Sequence, residues 1–245
     1  MLTHILIIGG ANGIGLSIAK QLAALPTTQQ VYIVDKAPLA PEYADPKIQS
    51  FQFDLTHDDY TFFDRFTDIN GLMITAGFGR LSLFRDIPEN HISDSFNVNT
   101  IPVMRLIHRF YSRLESTDDF YCGVMVSIAG FMSSPFFAVY GATKAALKIF
   151  IESVNVELEK HGSANRILNV SPGSLRGTSF NAGKTDLTIT APMAQAIIDH
   201  LLAKDDLFIP QYDEVFHAVL DRYHQDFREE GRHSYDYKLQ SGRIK

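Results

Sequence analysis

Tyr140 and Lys144 stand four positions apart in "AVYGATKAAL" (138–147), a stretch of Ala, Gly and Leu with helical character. Side chains at that spacing share one face of a helix, a turn apart. A phenol and an ammonium so placed can handle a proton. The phenol ionises near pH 10, so alone it is a poor base at neutral pH. Bringing it to roughly 7.5 takes about 3.4 kcal/mol of preference for the phenolate. One cation about 4 Å away supplies on the order of 4 kcal/mol at an effective dielectric of 20. The small neighbours Gly141, Ala142, Ala145 and Ala146 let ligands come close to this helix. Tyr and Lys are also common on solvated helix surfaces, so the meaning of the pair rests on what is built around it.

A second chemical feature follows the first apolar run. "GGANGIG" sets Gly9, Gly13 and Gly15 at the spacing GxxxGxG. A strand, a glycine turn and a helix in that order let the backbone approach a pyrophosphate and aim the helix N-terminus at its charge. Gly9, Asn12, Gly13, Ile14 and Gly15 are the candidate residues of such a turn. Asp35 ends the second apolar run, twenty positions after Gly15. That is where a carboxylate binding the adenosine ribose hydroxyls is expected. A 2′-phosphate about 5 Å from it would be repelled by several kcal/mol at a dielectric near 20, which Lys36 offsets in part. The expected dinucleotide is therefore NAD, with NADP less favoured.

These features need a scaffold, and the pattern supplies one. Apolar runs at 4–9, 30–35, 48–53, 71–77, 123–128, 166–171 and 206–210 read as strands. Helical patterns lie near 14–25, 58–66, 89–116, 138–161, 190–203 and 212–229. Strand–helix alternation with near-continuous apolar strands predicts a parallel sheet covered by helices on both faces. The expectation is an α/β fold, a Rossmann-type doubly wound sheet of about seven strands, with residues 1–245 as a single domain. Residues 173–190 have three glycines and no sustained period, and read as an irregular substrate loop. The tail 231–245 carries His233, Tyr235 and Tyr237 and is either disordered or docked on the body or a neighbouring subunit.

Bulk properties exclude several function classes. A net charge of −6 and the lack of any Lys/Arg-rich run argue against nucleic acid as a partner. One cysteine, Cys122, precludes an internal disulfide and suits a reducing compartment. No CxxC pair or close His/Cys cluster points to a metal. His57, Asp58 and Asp59 read as a capped turn, and His217 with His224 as surface positions. The chain opens directly on "THILIIGG" with no signal sequence ahead, and no run reaches the eighteen apolar residues of a membrane span. A cytoplasmic protein without membrane contact is expected.

Taken together, the motifs resemble the short-chain dehydrogenase/reductase family in its compact single-domain branch, over about residues 3 to 210. The family's TGxxxGxG turn is matched by "IGGANGIG", with Ile8 where Thr is usual. Its adenine-binding Asp and apolar pair is matched by Asp54 and Leu55. The Asn-Asn-Ala-Gly segment after the fourth strand is reduced to "ITAG", Ile74 to Gly77, which leaves Ala76 and Gly77 aligned. Asn99 in "FNVN", Ser127 in "VSIAG", Tyr140 and Lys144 match the catalytic tetrad, and Ser127 precedes Tyr140 by the usual thirteen positions. Pro172 and Gly173 match the segment that passes the nicotinamide. Thr178 follows that Pro by six positions, not the family's five.

The resemblance implies an NAD(P)-dependent oxidoreductase that interconverts a carbonyl and a secondary alcohol. Tyr140 would be the general acid/base, Ser127 would bind the substrate oxygen, Lys144 would serve the phenolate and the nicotinamide ribose, and Asn99 would hold a water on the way to solvent. It also implies a homodimer or homotetramer. The helices at 89–116 and 138–161 carry Val103, Leu106, Ile107, Leu147, Phe150 and Ile151, more apolar positions than one buried stripe needs. Phe78, Phe131, Met132, Phe136 and Phe180 are expected around a mainly apolar substrate. Two alternatives stay open: a non-catalytic dinucleotide-binding sensor on the same fold, and a sugar-nucleotide epimerase or dehydratase.

Overall fold

Seven strands pair in one sheet: His4–Ile8 (β1), Gln30–Asp35 (β2), Ile48–Gln52 (β3), Gly71–Ile74 (β4), Tyr121–Met125 (β5), Ile167–Val170 (β6) and Leu207–Phe208 (β7). The computed structural model describes residues 1–56, 59–178, 180 and 183–241. Sheet order is β3-β2-β1-β4-β5-β6-β7, and every pairing is parallel. The chain reverses its direction of travel across the sheet between β1 and β4, and ligands bind such sheets outside the carboxyl ends at that point. β4 and β6 are buried along their whole length, which is why they read as continuous apolar runs.

Helices cover both faces. Gly13–Ala24 (α1) and Leu187–Ala203 (α6) pack on one side through Ile18, Leu22, Ile197 and Leu201. Ile101–Arg109 (α3) and Ala138–Lys160 (α5) pack on the other through Leu106, Ile107, Leu147 and Ile151. The result is the expected Rossmann-type doubly wound fold. Among the described residues no helix is long and apolar enough to cross a membrane.

Four expectations are corrected. The pattern at 89–116 is not one helix but three: Glu89–Asn99 (α2), α3, and Tyr111–Glu115 (α4). Pro102 has no N–H for the carbonyl one turn back, and Thr100 leaves helical geometry at φ −123°. Val103, Leu106, Ile107, Leu147 and Ile151 are not surplus apolar surface, since all five are buried in the core. The exposed apolar positions of these helices are Ile101, Ile149 and Val156. The pattern at 58–66 is a short 3-10 turn, Tyr60–Arg65, capped by Asp59; His57 and Asp58 lie outside the described residues. The irregular loop ends at Asp186 rather than 190, because the Asp186 carboxylate accepts from Thr188 N and Ile189 N and starts α6 early.

The tail is helical as far as it is described. His217–Gln225 (α7) and Phe227–Gln240 (α8) follow a π-helical turn at Tyr212–Phe216, and α8 lies against residues 133–137. Helix α5 is registered on the sheet by Asn155, which is 7% exposed. Its amide donates to Ile167 O and accepts from Ile167 N, at 3.0 and 2.9 Å, and also donates to Asp206 at 2.9 Å. Asn155→Leu removes both links and leaves buried backbone groups of β6 without partners. The expected cost is about 2–3 kcal/mol, which calorimetry should read as a fall in Tm of roughly 4–12 °C.

Candidate active site

Helix α5 brings Tyr140 and Lys144 to the carboxyl end of β5, and two glycines bring Ser127 to them. A Cβ on Gly130 would stand 2.7 Å from the Lys144 carbonyl carbon, and one on Gly141 would stand 2.9 Å from Ala129 O. The turn after β5 therefore lies directly on the helix backbone, a closeness only glycine permits. Ser127 is held there by a hydrogen bond from Ala129 N at 3.2 Å and lies 3.5 Å from Pro172 O. Its hydroxyl stands near enough to Tyr140 to favour ionisation of the phenol.

Lys144 is 2% exposed and donates to Met125 O at 2.8 Å. Its ammonium lies 5.7 Å from the centre of the Tyr140 ring. Burial pushes Lys144 down to about 8, and it pushes Tyr140 up to about 12 against the opposing influence of the Ser127 hydroxyl. The expectation of a phenol near 7.5 is thus not met by this pair alone, because desolvation outweighs one cation at this separation. A phenol held protonated at neutral pH is suited to give a proton.

Asn99 is fully buried and braces the loop after β4. Its amide accepts from Phe78 N at 2.9 Å and donates to Phe78 O at 2.8 Å and to Thr143 Oγ1 at 3.2 Å. A Cβ on Gly77 would stand 3.2 Å from Asn99 and 3.5 Å from Lys144 Nζ, so Gly77 lies beside both. Around the phenol, Phe137 and Phe180 place ring centres 5.1 and 5.3 Å from Tyr140. Phe136, expected to face this centre, turns away to meet Tyr235 at 4.6 Å. Its backbone is left-handed, φ 67°, while Phe137 next to it meets Tyr140. Phe131 and Met132 pack on the cluster of Ile128, Ile209 and Leu220, and Phe78 meets His91 at 5.5 Å.

The glycine turn sits at the carboxyl end of β1. Gly9 has φ 85°, and a Cβ there would stand 2.5 Å from Ala76 N, so the turn packs on the loop after β4. Thr75 braces both segments, its hydroxyl donating to Ile8 O and Gly9 O at 3.0 and 2.9 Å. Helix α1 starts after Asn12 with no acidic residue in its first turn, and Ile14 and Gly15 lie buried within that turn. Asp35 accepts from Ala11 N at 2.9 Å and from Ala37 N at 3.0 Å, which sets its carboxylate against the turn. Asp54 pairs with Lys36 at 2.8 Å and accepts from Thr56, contacts that hold it down at about 2. Leu55 beside it packs against the core.

The loop after β6 closes the arrangement. Pro172 O accepts from Ile128 N at 3.1 Å, and a Cβ on Gly173 would stand 2.8 Å from the Phe216 ring. Thr178 lies 3.4 Å from the position of a Cβ on Gly13. Thr185, which no motif singled out, accepts a hydrogen bond from Gly13 N at 3.0 Å. A neutral oxygen thus already sits on the helix N-terminal donor that a phosphate oxygen would take. With Asp35 beside the turn, the donor set fits an adenine dinucleotide. Among the described residues no group of three His, Cys, Asp or Glu could hold a metal ion.

Comparison with known proteins identifies the family and the fold. The model of the family "short chain dehydrogenase" matches residues 3–187. The chain is 27% identical over 198 residues to Uncharacterized oxidoreductase TDA5 of Saccharomyces cerevisiae, covering 77% of this chain and 60% of that relative. It is 25% identical over 228 residues to Retinol dehydrogenase 8 of Bos taurus, covering 88% of this chain and 72% of the relative. A short chain dehydrogenase/reductase from Burkholderia phymatum in complex with NAD shares the fold, with a TM-score of 0.79 and 16% identity over 93% of this chain and 95% of that one.

Thr185 gives the site a direct test. If its hydroxyl competes with a phosphate oxygen for Gly13 N, Thr185→Ala should tighten dinucleotide binding by about two- to tenfold, the worth of one neutral hydrogen bond. Isothermal titration with NAD reads this, and weaker binding would mean that Thr185 contributes to the bound state instead.

Proposed function

Because the chain belongs to the short-chain dehydrogenase family, we propose that it is an NAD(P)-dependent oxidoreductase that interconverts a carbonyl and a secondary alcohol. The observation that carries this reading is the placing of Ser127 and the buried Lys144 beside Tyr140, with the Lys144 ammonium 5.7 Å from the phenol ring centre and held by Met125 O. When bound, the nicotinamide supplies or accepts the hydride. The chain's own residues handle the oxygen and the proton. Ser127 hydrogen-bonds the substrate oxygen, and Tyr140 gives its proton to that oxygen during reduction. Lys144 then lies one helical turn away to stabilise the phenolate that remains. Gly9, Asn12, Gly13, Ile14 and Gly15 hold the pyrophosphate, Asp54, Leu55, Ala76 and Gly77 border the adenosine side, and Pro172 and Gly173 border the nicotinamide.

The alternatives gain nothing from the geometry. A sensor has no need of all four tetrad residues, and an epimerase of the longer branch would have its third glycine where Leu16 stands, fully buried in α1. The rings of Phe137 and Phe180 on Tyr140 favour an apolar substrate, as does the likeness to a retinol dehydrogenase. NAD is favoured over NADP because Asp35 faces the turn and Lys36 is paired with Asp54, which leaves it less able to offset the Asp35 charge.

Three outcomes are expected. Tyr140→Phe should lower ketone reduction by about 10²- to 10⁴-fold, the usual worth of a general acid, with dinucleotide affinity within twofold of wild type. In the wild type, kcat/KM for reduction should fall as pH rises through about 8, because Lys144 loses its proton there while Tyr140, up at about 12, keeps its own. Retention of more than a few per cent of activity by Tyr140→Phe would remove it from this role. For the cofactor, kcat/KM should be higher with NAD than with NADP, and Asp35→Ser should narrow or reverse the ratio; a wild-type preference for NADP would refute the assignment to Asp35.

A further inference from the structure

Helix α8 reaches the wall of the site from the far end of the chain. Phe136 is a bulky residue held at φ 67°, a conformation that persists only where its surroundings impose it. Ser82 N donates to its carbonyl at 2.9 Å, and Tyr235 of α8 packs on its ring. Lys238, also of α8, holds the two residues before it, donating to Ser134 Oγ and to Pro135 O, both at 2.8 Å. Its third donor reaches Ser234 Oγ at 3.1 Å, so three N–H groups meet three neutral oxygens. Partial burial pushes the ammonium down to about 8. The strained residue is followed at once by Phe137, whose ring lies 5.1 Å from Tyr140 and 5.6 Å from Lys238 Nζ.

We propose that Lys238 is a positioning residue: from the C-terminal helix its ammonium clamps the Ser134–Pro135 turn, fixes the left-handed Phe136, and so sets the Phe137 ring as the wall of the substrate site beside Tyr140. The catalytic part of this statement rests on the role proposed for Tyr140; the clamp itself does not. It assigns the C-terminal helix a part in substrate selection, since the wall moves if α8 lifts.

Lys238→Met, Lys238→Arg and Ser134→Ala in the full chain test it by two readouts. Hydrogen–deuterium exchange should be at least tenfold faster in peptides covering 131–141 of Lys238→Met, unchanged in those covering β1, β4 and β5, and closer to wild type in Lys238→Arg. Ser134→Ala should shift the same peptides less. With a panel of apolar ketones and NADH, Lys238→Met should raise KM at least fivefold with NADH affinity unchanged, and Lys238→Arg should recover most of the loss. Unchanged exchange at 131–141 overturns the clamp. Faster exchange with unaltered ketone KM overturns the positioning role. If the wild type reduces no carbonyl compound, the proposed reaction is what fails, and the exchange measurement still decides the clamp.

Discussion

Burying one ammonium constrains much of this site. Lys144 carries its charge into a place with 2% exposure, at the carboxyl end of β5. A charge taken from water needs polar partners close by, or it gives up its proton. Met125 O, the last carbonyl of β5, supplies one such partner at 2.8 Å. The ends of β4 and β5 therefore do more than fill a core. They hold the polar environment in which a lysine can sit one turn from a phenol without being solvated.

That arrangement requires α5 to lie very close to the segment after β5, and the closeness explains residues that otherwise look incidental. Gly130 faces the backbone of Lys144 and Ala145, and Gly141 faces that of Ala129, so a side chain on either would hold helix and turn apart. Thr143 does a related job on the helix itself. Its hydroxyl donates to Tyr140 O at 2.7 Å and accepts from Asn99, while its carbonyl accepts from Thr100 Oγ1. The phenol, the ammonium and the loop after β4 are thereby fixed to one another through short bonds on one turn of helix.

Much of this was legible in the sequence, and the parts that were not have a common cause. The parallel sheet showed in the apolar runs, because strands buried on both faces cannot alternate. Tyr140 and Lys144 showed through spacing, since a helix turn is local geometry, whereas Ser127 was named only by the resemblance to the family. Thr185 was invisible: its contact with Gly13 spans 172 positions, and nothing local marks it. The division of labour between Phe136 and Phe137 was hidden too, because it depends on the sign of one backbone angle. The break at Thr100 could have been read from Pro102, which removes a helix donor, but the surrounding apolar period concealed it. The docking of α8 escaped for a different reason. Lys238 is a polar residue in a polar tail, and only its distant partners, Ser134 and Pro135, distinguish it from a solvated one.

The departures from the family pattern fit this logic of few but well-placed bonds. "ITAG" lacks two asparagines, and the turn lacks its usual threonine at Ile8. Both losses fall on the contact between the loop after β4 and the glycine turn. There Thr75 donates to two carbonyls, Ile8 O and Gly9 O, so one hydroxyl fastens the segments together. A single side chain at the crossing point can replace several because the backbones already touch: Ala76 N donates to Ile8 O at 3.1 Å, and Gly9 admits no Cβ. What the crossing needs is a short polar group without bulk, and threonine at this one position meets that need.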